Sequence, residues 1–443
     1  MNLKTFKIGG IHPPEGKKAT ENKPIEIIMP KTGALMVYPM SQHIGAPATP
    51  LVKKGDRVLM GQKIGEAEAF MCSPIHASVS GTVKDIKPML TPGGTMVLSV
   101  IVENDGLYEE YPSLGQNKDW ESLSRDEILN KIKNAGVVGL GGAGFPTHIK
   151  LNPPPTDKID TIIVNGAECE PYLTTDHRIM LEKTDRLVKG LAVMLSLHPG
   201  AKGYIAIENN KPDAIKAVSA ECEKYPNISV VALLTKYPQG SEKQLIYAVT
   251  GREVKSGKLP ASEGCIVDNV DTVLAVERAC CQDRPLMRRV VTFTGDAVKN
   301  PGNYQVRIGM NMNEFIEQVG GFTEEPGKII AGGPMMGKAI YSTDVPFVKT
   351  SSALLCLTRK SAEQPPESNC IRCGKCVSAC PMGLMPLTLN QDALAGDMAA
   401  FEAHDGLDCI MCGSCSFVCP AKRHLAQTII AYRGEVMASK RKK

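Results

Sequence analysis

The sequence predicts a multidomain chain of mixed α/β and α+β class. Three observations carry that reading. The chain has 443 residues, more than one hydrophobic core ordinarily serves, so roughly three domains are expected. Short apolar runs alternate with helical patterns between residues 161 and 234, the mark of α/β organisation. Of the 15 cysteines, those after residue 369 fall in two tight runs that follow a proline-containing stretch.

Bulk properties exclude several classes. With 51 basic and 47 acidic residues the formal net charge is +4, too mild to imply a nucleic-acid partner. No apolar run approaches the roughly 18–20 residues of a spanning helix. The first ten residues lack the apolar core of a secretory signal. A soluble or peripheral protein inside the cell is expected, and in that reducing compartment clustered thiols read as metal ligands. The basic tail at residues 439–443 reads as solvated or as touching anionic lipid.

Residues 26–105 read as β-rich. Val52-Lys-Lys-Gly55-Asp56-Arg-Val58 and Pro74-Ile-His-Ala-Ser-Val-Ser-Gly81 resemble the turns of a lipoyl or biotinyl carrier barrel, a barrel-sandwich fold. Carriage needs a lysine on the hairpin tip, and Glu66-Ala-Glu-Ala-Phe-Met-Cys72-Ser73 has none, so a structural use is favoured. Cys72 reads as a half-buried thiol or a reactive one. His12, His43 and His76 lack ligand spacing and read as structural.

Ser124-Arg-Asp-Glu127 is a capping box that opens a short amphipathic helix. Gly139-Leu-Gly141-Gly-Ala-Gly144 follows, a formal G-x-G-x-x-G entered from a helix rather than a strand. It reads either as a plain loop or as a phosphate cradle of side-chain-free amides, with Lys150 as a nearby cation. Thr161-Ile-Ile-Val164 reads as a buried strand running into Asn165-Gly-Ala-Glu168-Cys-Glu170-Pro171. Carboxylates at a strand's C-terminal end suit a nucleotide site in an α/β sheet; the alternative is a polar loop. Further on, Val290–Val306 reads as strand–turn–strand, followed by a helix at 313–320 and the loop Ile329-Ile-Ala-Gly-Gly-Pro334-Met-Met-Gly337.

The cysteine runs are Cys370-x2-Cys373-x2-Cys376-x3-Cys380-Pro381 and Cys409-x2-Cys412-x2-Cys415-x3-Cys419-Pro420. Both fit the two-cluster [4Fe–4S] pattern, in which the fourth cysteine of each run ligates the other cluster. Cys370, Cys373, Cys376 and Cys419 are thus assigned to one cluster, and Cys409, Cys412, Cys415 and Cys380 to its neighbour. Gly374 and Gly413 let the loops turn tightly. Zinc knuckles or a redox dithiol are the alternatives. Between the runs, residues 387–404 read as one helix with Leu389, Leu394, Met398 and Phe401 on its core face.

Gly141 to Lys150 looks like the flavin-binding loop in the NADH-oxidising flavoprotein subunit of respiratory complex I. Asn165 to Pro171, Tyr237-Pro-Gln-Gly-Ser-Glu242 and Asp268-Asn269-Val-Asp-Thr272 resemble further pieces of that family in the same order. The resemblance implies a Rossmann-like domain that binds FMN and NAD(H). Gly139, Gly141, Gly142, Gly144 and Lys150 would hold the FMN phosphate side. Asn165, Glu168, Glu170, Glu242 and Asn269 would line flavin and nicotinamide, and Phe145 would stack on adenine. Ala167 and Ser241 replace acidic residues of that relative, and Leu151 replaces an aromatic. The segment after residue 286 resembles that family's soluble-ligand-binding β-grasp module.

The domain order, with the opening Phe6-Lys-Ile-Gly9-Gly10-Ile-His12-Pro13-Pro14, is similar to the RnfC components of Rnf-type electron-transport complexes. The division expected is an N-terminal extension (1–25), barrel-sandwich domain (26–105), FMN/NADH domain (120–285), β-grasp module (286–345), linker (346–368), two-[4Fe–4S] ferredoxin-like domain (369–430) and basic tail (431–443). The resemblance implies a peripheral subunit on the cytoplasmic face of a bacterial membrane, partnered by membrane and iron–sulfur subunits. It would link NAD(H), and ferredoxin indirectly, to Na+ or H+ transport. Hydride leaves NADH as two electrons while an iron–sulfur cluster takes one, so a flavin between them is the usual converter. Hydride transfer requires no general base, and no acid–base catalytic residue is assigned. A corrin reductase of bacterial microcompartments shares this layout, and a non-enzymatic relay scaffold is a third reading.

Overall fold

Four parallel strands position the site. In spatial order they are Ile228–Leu233, Lys202–Glu208, Thr161–Gly166 and Cys265–Asn269. The strands are buried on both faces, which is why they read as continuous apolar runs. Ile162 and Val164 face the core of helices Thr184–Ser196 and Val270–Gln282, whereas Ile163 faces helix Glu242–Thr250. Gly190 lets the first two helices touch, since a Cβ there would come within 2.4 Å of the Val273 carbonyl oxygen. The first strand lies between the second and the fourth, so the sheet has a switch point at the ends of Thr161–Gly166 and Cys265–Asn269. Ligands bind at such crevices in open α/β sheets. The structure is a computed structural model and describes residues 3–116, 119–142 and 144–441.

The first 25 residues are not a free extension. Lys4 bonds the backbone of Ala232 and Leu234, and Ile11 bonds that of Tyr237, so this segment borders the parallel sheet. Strand Ile25–Ile27 then joins a six-stranded sheet, parallel to Gly302–Arg307. The barrel-sandwich follows as a four-stranded sheet and a three-stranded one. Its inner residues Met36, Tyr38 and Val102 share one core with Phe293, Phe315 and Phe347 of the β-grasp module. Cys72 is 2% exposed, which rules out a reactive thiol on a solvent-facing tip.

The expected linker at 346–368 holds strand Ala353–Leu357 inside the six-stranded sheet, paired with Arg288–Thr294 and Lys328–Ala331. Its five-residue apolar run is the signal for that. The segment expected as one helix at 387–404 is two, Pro386–Ala395 and Met398–Ala403, broken at Gly396 with φ +69°. The break turns Leu394 and Met398 outward while Leu389 and Phe401 stay buried. The expected tail at 431–443 is instead the second half of helix Leu425–Arg441, whose Tyr432 packs edge-on against Phe401 at 5.2 Å. Lys442 and Lys443 of the basic tail lie outside the described residues. Among the described residues no helix is long and apolar enough to cross a membrane.

Candidate functional site

At the switch point the chain leaves strand Thr161–Gly166 in a tight acidic turn. Glu168 sits at φ +49°, a strained position for a side-chain-bearing residue. Two buried lysines hold the turn from behind. Lys17 Nζ donates to the carbonyls of Glu168 (2.8 Å) and Glu170 (3.1 Å), and Lys211 Nζ donates to that of Ala167 (2.8 Å). The Glu168 carboxylate accepts the Asp176 N–H at 2.7 Å and so caps helix Thr175–Glu182. Glu170 accepts the N–H groups of Met335 (2.6 Å) and Met336 (3.2 Å), which seats the β-grasp loop on the turn. Burial raises its pKa against those donors. Asn165 donates to the Gly240 carbonyl at 2.8 Å. Lys17 carries no local sequence signal, because its partners lie more than 150 positions away.

The glycine loop divides. Gly139 and Phe145 close it by a 2.8 Å backbone bond, and Gly144 donates back to the Gly139 carbonyl. Gly144 sits at φ +64° in a tight spot: a Cβ would meet Thr350, beside the six-stranded sheet, at 3.0 Å and His43 of the barrel at 3.4 Å. Gly141 packs on Asn269, while a Cβ on Gly142 would meet nothing within 4 Å. Lys150 points at neighbouring acids, with Nζ 2.8 Å from Glu242 and 3.9 Å from the buried Asp268. Burial alone would lower its pKa, and Asp268 and Glu242 reverse the direction. Its charge is therefore paired within the fold, on acids at the ends of two neighbouring elements.

A cavity of about 930 Å³ opens at these strand ends, near the top of the size range for ligand pockets. Gly141, Gly142, Asn165, Glu168, Glu170, Glu242 and Asn269 line it; Gly139, Gly144, Phe145 and Lys150 do not. Other lining residues lie outside the expected set: Tyr237 and Asp271 fall within motifs named above but had no role there, and Asp176 and Arg289 carry no local signal. Asp176, Asp271 and Arg289 come from three different elements, and Tyr237 lies at the wall beside Ile410, Met411 and Cys412 of the second cysteine run. The barrel also contributes, through His43 and Thr91 among others. His43 thus forms cavity wall rather than serving structure alone.

The two cysteine runs adopt one conformation twice. Arg372 and Met411 sit at φ +53° and +60°, and Gly374 and Gly413 at +75° and +76°. In each run the residue two places after the first cysteine donates its N–H to that cysteine's sulfur, Arg372 to Cys370 and Met411 to Cys409, both at 3.4 Å. Cys370, Cys373, Cys376 and Cys419 line one cavity of about 190 Å³. Burial pushes the Cys415 thiol up to about 12, aided by the charges of Cys412, Cys409 and Cys380. Burial likewise raises Cys409 and Cys380, with Cys412 adding to both. Thiols that oppose one another's ionisation this way become a stable ligand set only round positive metal. Among the described residues no three His, Cys, Asp or Glu side chains converge as ligands of one ion. A cubane asks for a different arrangement, because each thiolate meets a separate iron at its own corner. The donor set therefore fits the sequence assignment of four thiolates to each cluster, including the exchanged Cys380 and Cys419.

Known proteins match this architecture segment by segment. Residues 4–107 match the RnfC barrel sandwich hybrid domain, 132–278 the Nuo51 FMN-binding domain, 290–339 the SLBB domain and 369–424 the 4Fe-4S dicluster domain. Over its full length the chain is 47% identical to the RnfC component of the Na(+)-translocating ferredoxin:NAD(+) oxidoreductase complex of Acetobacterium woodii, all of which is covered. The chain belongs to the RnfC family. A second RnfC relative, from the proton-translocating ferredoxin:NAD(+) oxidoreductase complex of Clostridium ljungdahlii, is 48% identical over 99% of this chain and 95% of its own. The RnfC fold is shared with an NAD+-reducing [NiFe]-hydrogenase in the air-oxidized state, at TM-score 0.53 and 18% identity over 73% of this chain and 64% of that one.

Proposed function

We propose that this chain is the NAD(H)-handling subunit of an Rnf-type membrane complex. It passes electrons between NAD(H), FMN and two [4Fe–4S] clusters, within an assembly that couples ferredoxin:NAD+ chemistry to Na+ or H+ transport. One observation carries the reading: the switch-point crevice of a flavin-type sheet and a cysteine of the second run, Cys412, line the same cavity. What FMN supplies when bound is the exchange between two-electron hydride chemistry and single-electron steps.

The chain's own residues divide the remaining work. The amides of Gly141 and Gly142 line the cavity without side chains and would receive phosphate. Asn165, Glu168, Glu170, Glu242 and Asn269 would orient flavin and nicotinamide, with Lys17 and Lys211 fixing the turn that carries two of them. Cys409, Cys412, Cys415 and Cys380 would hold the cluster beside the cavity. Cys370 and Cys373 are exposed, so their cluster would face the partner subunits, on the cytoplasmic side of the membrane.

The test is anaerobic reconstitution with iron and sulfide, followed by flavin and iron assays on one sample and NADH oxidation with an artificial acceptor. Two cubanes and one FMN per chain with NADH oxidation are expected. Zinc in the cysteine loops, or cluster-loaded protein that neither binds FMN nor oxidises NADH, would overturn the reading.

A further inference from the structure

Three carboxylates from different elements meet at the cavity wall, and among the described residues only two have a cation. Asp271, on helix Val270–Gln282, is bound by Arg289 Nη1 at 2.5 Å, and Arg289 is fixed in turn by the carbonyl of Leu140 at 3.0 Å. Glu168, on the acidic turn, has Lys17 at 3.8 Å and the Asp176 N–H at 2.7 Å. Asp176, in the first turn of helix Thr175–Glu182, has no ion pair among the described residues. Its Oδ2 accepts a 2.7 Å hydrogen bond from Asn269 Nδ2. The orientation of that amide is fixed, because Asn269 Oδ1 accepts the Asp271 N–H at 2.9 Å as a helix cap. Oδ1 of Asp176 has no protein partner among the described residues, and Asp176 lines the cavity.

A carboxyl set between two cation-bound carboxylates, with a neutral amide as its hydrogen-bond donor and no cation in direct contact among the described residues, retains its proton most readily of the three. Burial, Glu168 and Asp271 all raise the pKa of Asp176, against Asn269 and Arg289. Asn269 donates to one oxygen and leaves the other free to carry hydrogen toward a ligand.

We propose that Asp176 is the proton-exchanging group of the cavity, giving its proton to the flavin as reducing equivalents arrive and recovering one as they leave. This rests on the flavin reading above. The balance is simple. Hydride brings two electrons and one hydrogen from NADH, the Asp176 carboxyl supplies the second hydrogen, and NAD+ and the Asp176 carboxylate remain. When two electrons depart singly, two protons leave with them, one returning to Asp176 and one passing to solvent.

The decisive measurement is an infrared difference spectrum, oxidised against NADH-reduced, on the reconstituted full chain at pH 7. Wild type should lose a protonated-carboxyl C=O band on reduction, and D176N, with flavin and iron content retained, should not. Flavin reduction by NADH should slow about a hundredfold in D176N, the usual scale for a positioned proton donor, and should lose its dependence on alkaline pH. A wild-type spectrum without that band, or a band that persists in D176N, overturns the proposal. The wild-type arm decides even if the variant fails to fold. Absence of bound flavin or of NADH oxidation in wild type would instead sink the functional reading itself.

Discussion

The hydroxyl of Tyr237 donates a 2.8 Å hydrogen bond to the carbonyl oxygen of Cys412. One residue belongs to the flavin-type domain and the other to a cluster loop, and both are buried in a small apolar junction with Ile11 and Ala379. Tyr237→Phe removes the donor and keeps the ring. It should cost about 1 kcal/mol of stability and retain flavin and iron. Loss of a dipole whose positive end faces the loop should lower the potential of one cluster and leave the other unmoved. An EPR-monitored redox titration reads both, and equal shifts in the two signals would contradict the assignment of Cys412 to a single cluster.

The exchange of fourth ligands separates two serine variants. Cys380→Ser should impair the cluster next to the cavity, although Cys380 lies in the first run. NADH should then reduce neither cluster in that variant. Cys419→Ser should impair the exposed cluster and leave its neighbour reducible by NADH. Iron should fall to about half in each, since one cubane of the pair is lost. Loss of the same cluster in both variants would show that the fourth ligands are not exchanged in this way.

Lys150 is held by Glu242 and Asp268, so Lys150→Met should act on folding first. Removing one partner of a buried pair ordinarily costs about 3–5 kcal/mol, and the half-exposed Glu242 should reduce that to roughly 2 kcal/mol. Urea unfolding reads the cost directly. A variant of undiminished stability that releases flavin would instead point to the phosphate role expected from the sequence.

Lys349 supplies a pH test. Its ammonium donates to Ser73 Oγ (3.0 Å) and to the carbonyls of Pro74 and Gly136 (both 2.7 Å), joining barrel, β-grasp module and flavin-type domain. Burial without an acidic partner pushes its pKa down to about 7. Between that value and the usual lysine value of 10.5, the unfolded chain binds the extra proton, so stability should rise with pH across the window. Lys349→Met abolishes the gradient and leaves three acceptors without their donor. The difference in urea midpoint between wild type and variant should therefore widen from pH 7 to pH 10, and a constant difference would refute the linkage.

Local signals in the chain located the parts whose physics is local. The capping box at Ser124 and the apolar strand Thr161–Val164 each depend on near neighbours, and each forms where expected. Partnerships across the fold left no such trace. Lys17 stands beside Lys18 with nothing local to mark it, and only the folded acidic turn gives it partners. Ala353–Leu357 reads as a short apolar stretch until two strands flank it. Gly144 illustrates the converse, since its positive φ and the close approach of Thr350 and His43 each call for glycine, a need that the sequence pattern alone does not express.

The six-stranded sheet takes one edge strand from Ile25–Ile27 and an inner one from Ala353–Leu357. A nascent chain emerging from the ribosome cannot finish that layer until almost all of the residues before the first cysteine run have been made, and its opening segment must wait for the later one. Fragments cut at the family segments would leave unpaired β edges, prone to adhere to other copies. Co-expression of two pieces divided after residue 368 keeps every strand of that sheet together and offers the cleaner way to separate the cluster-binding part from the rest.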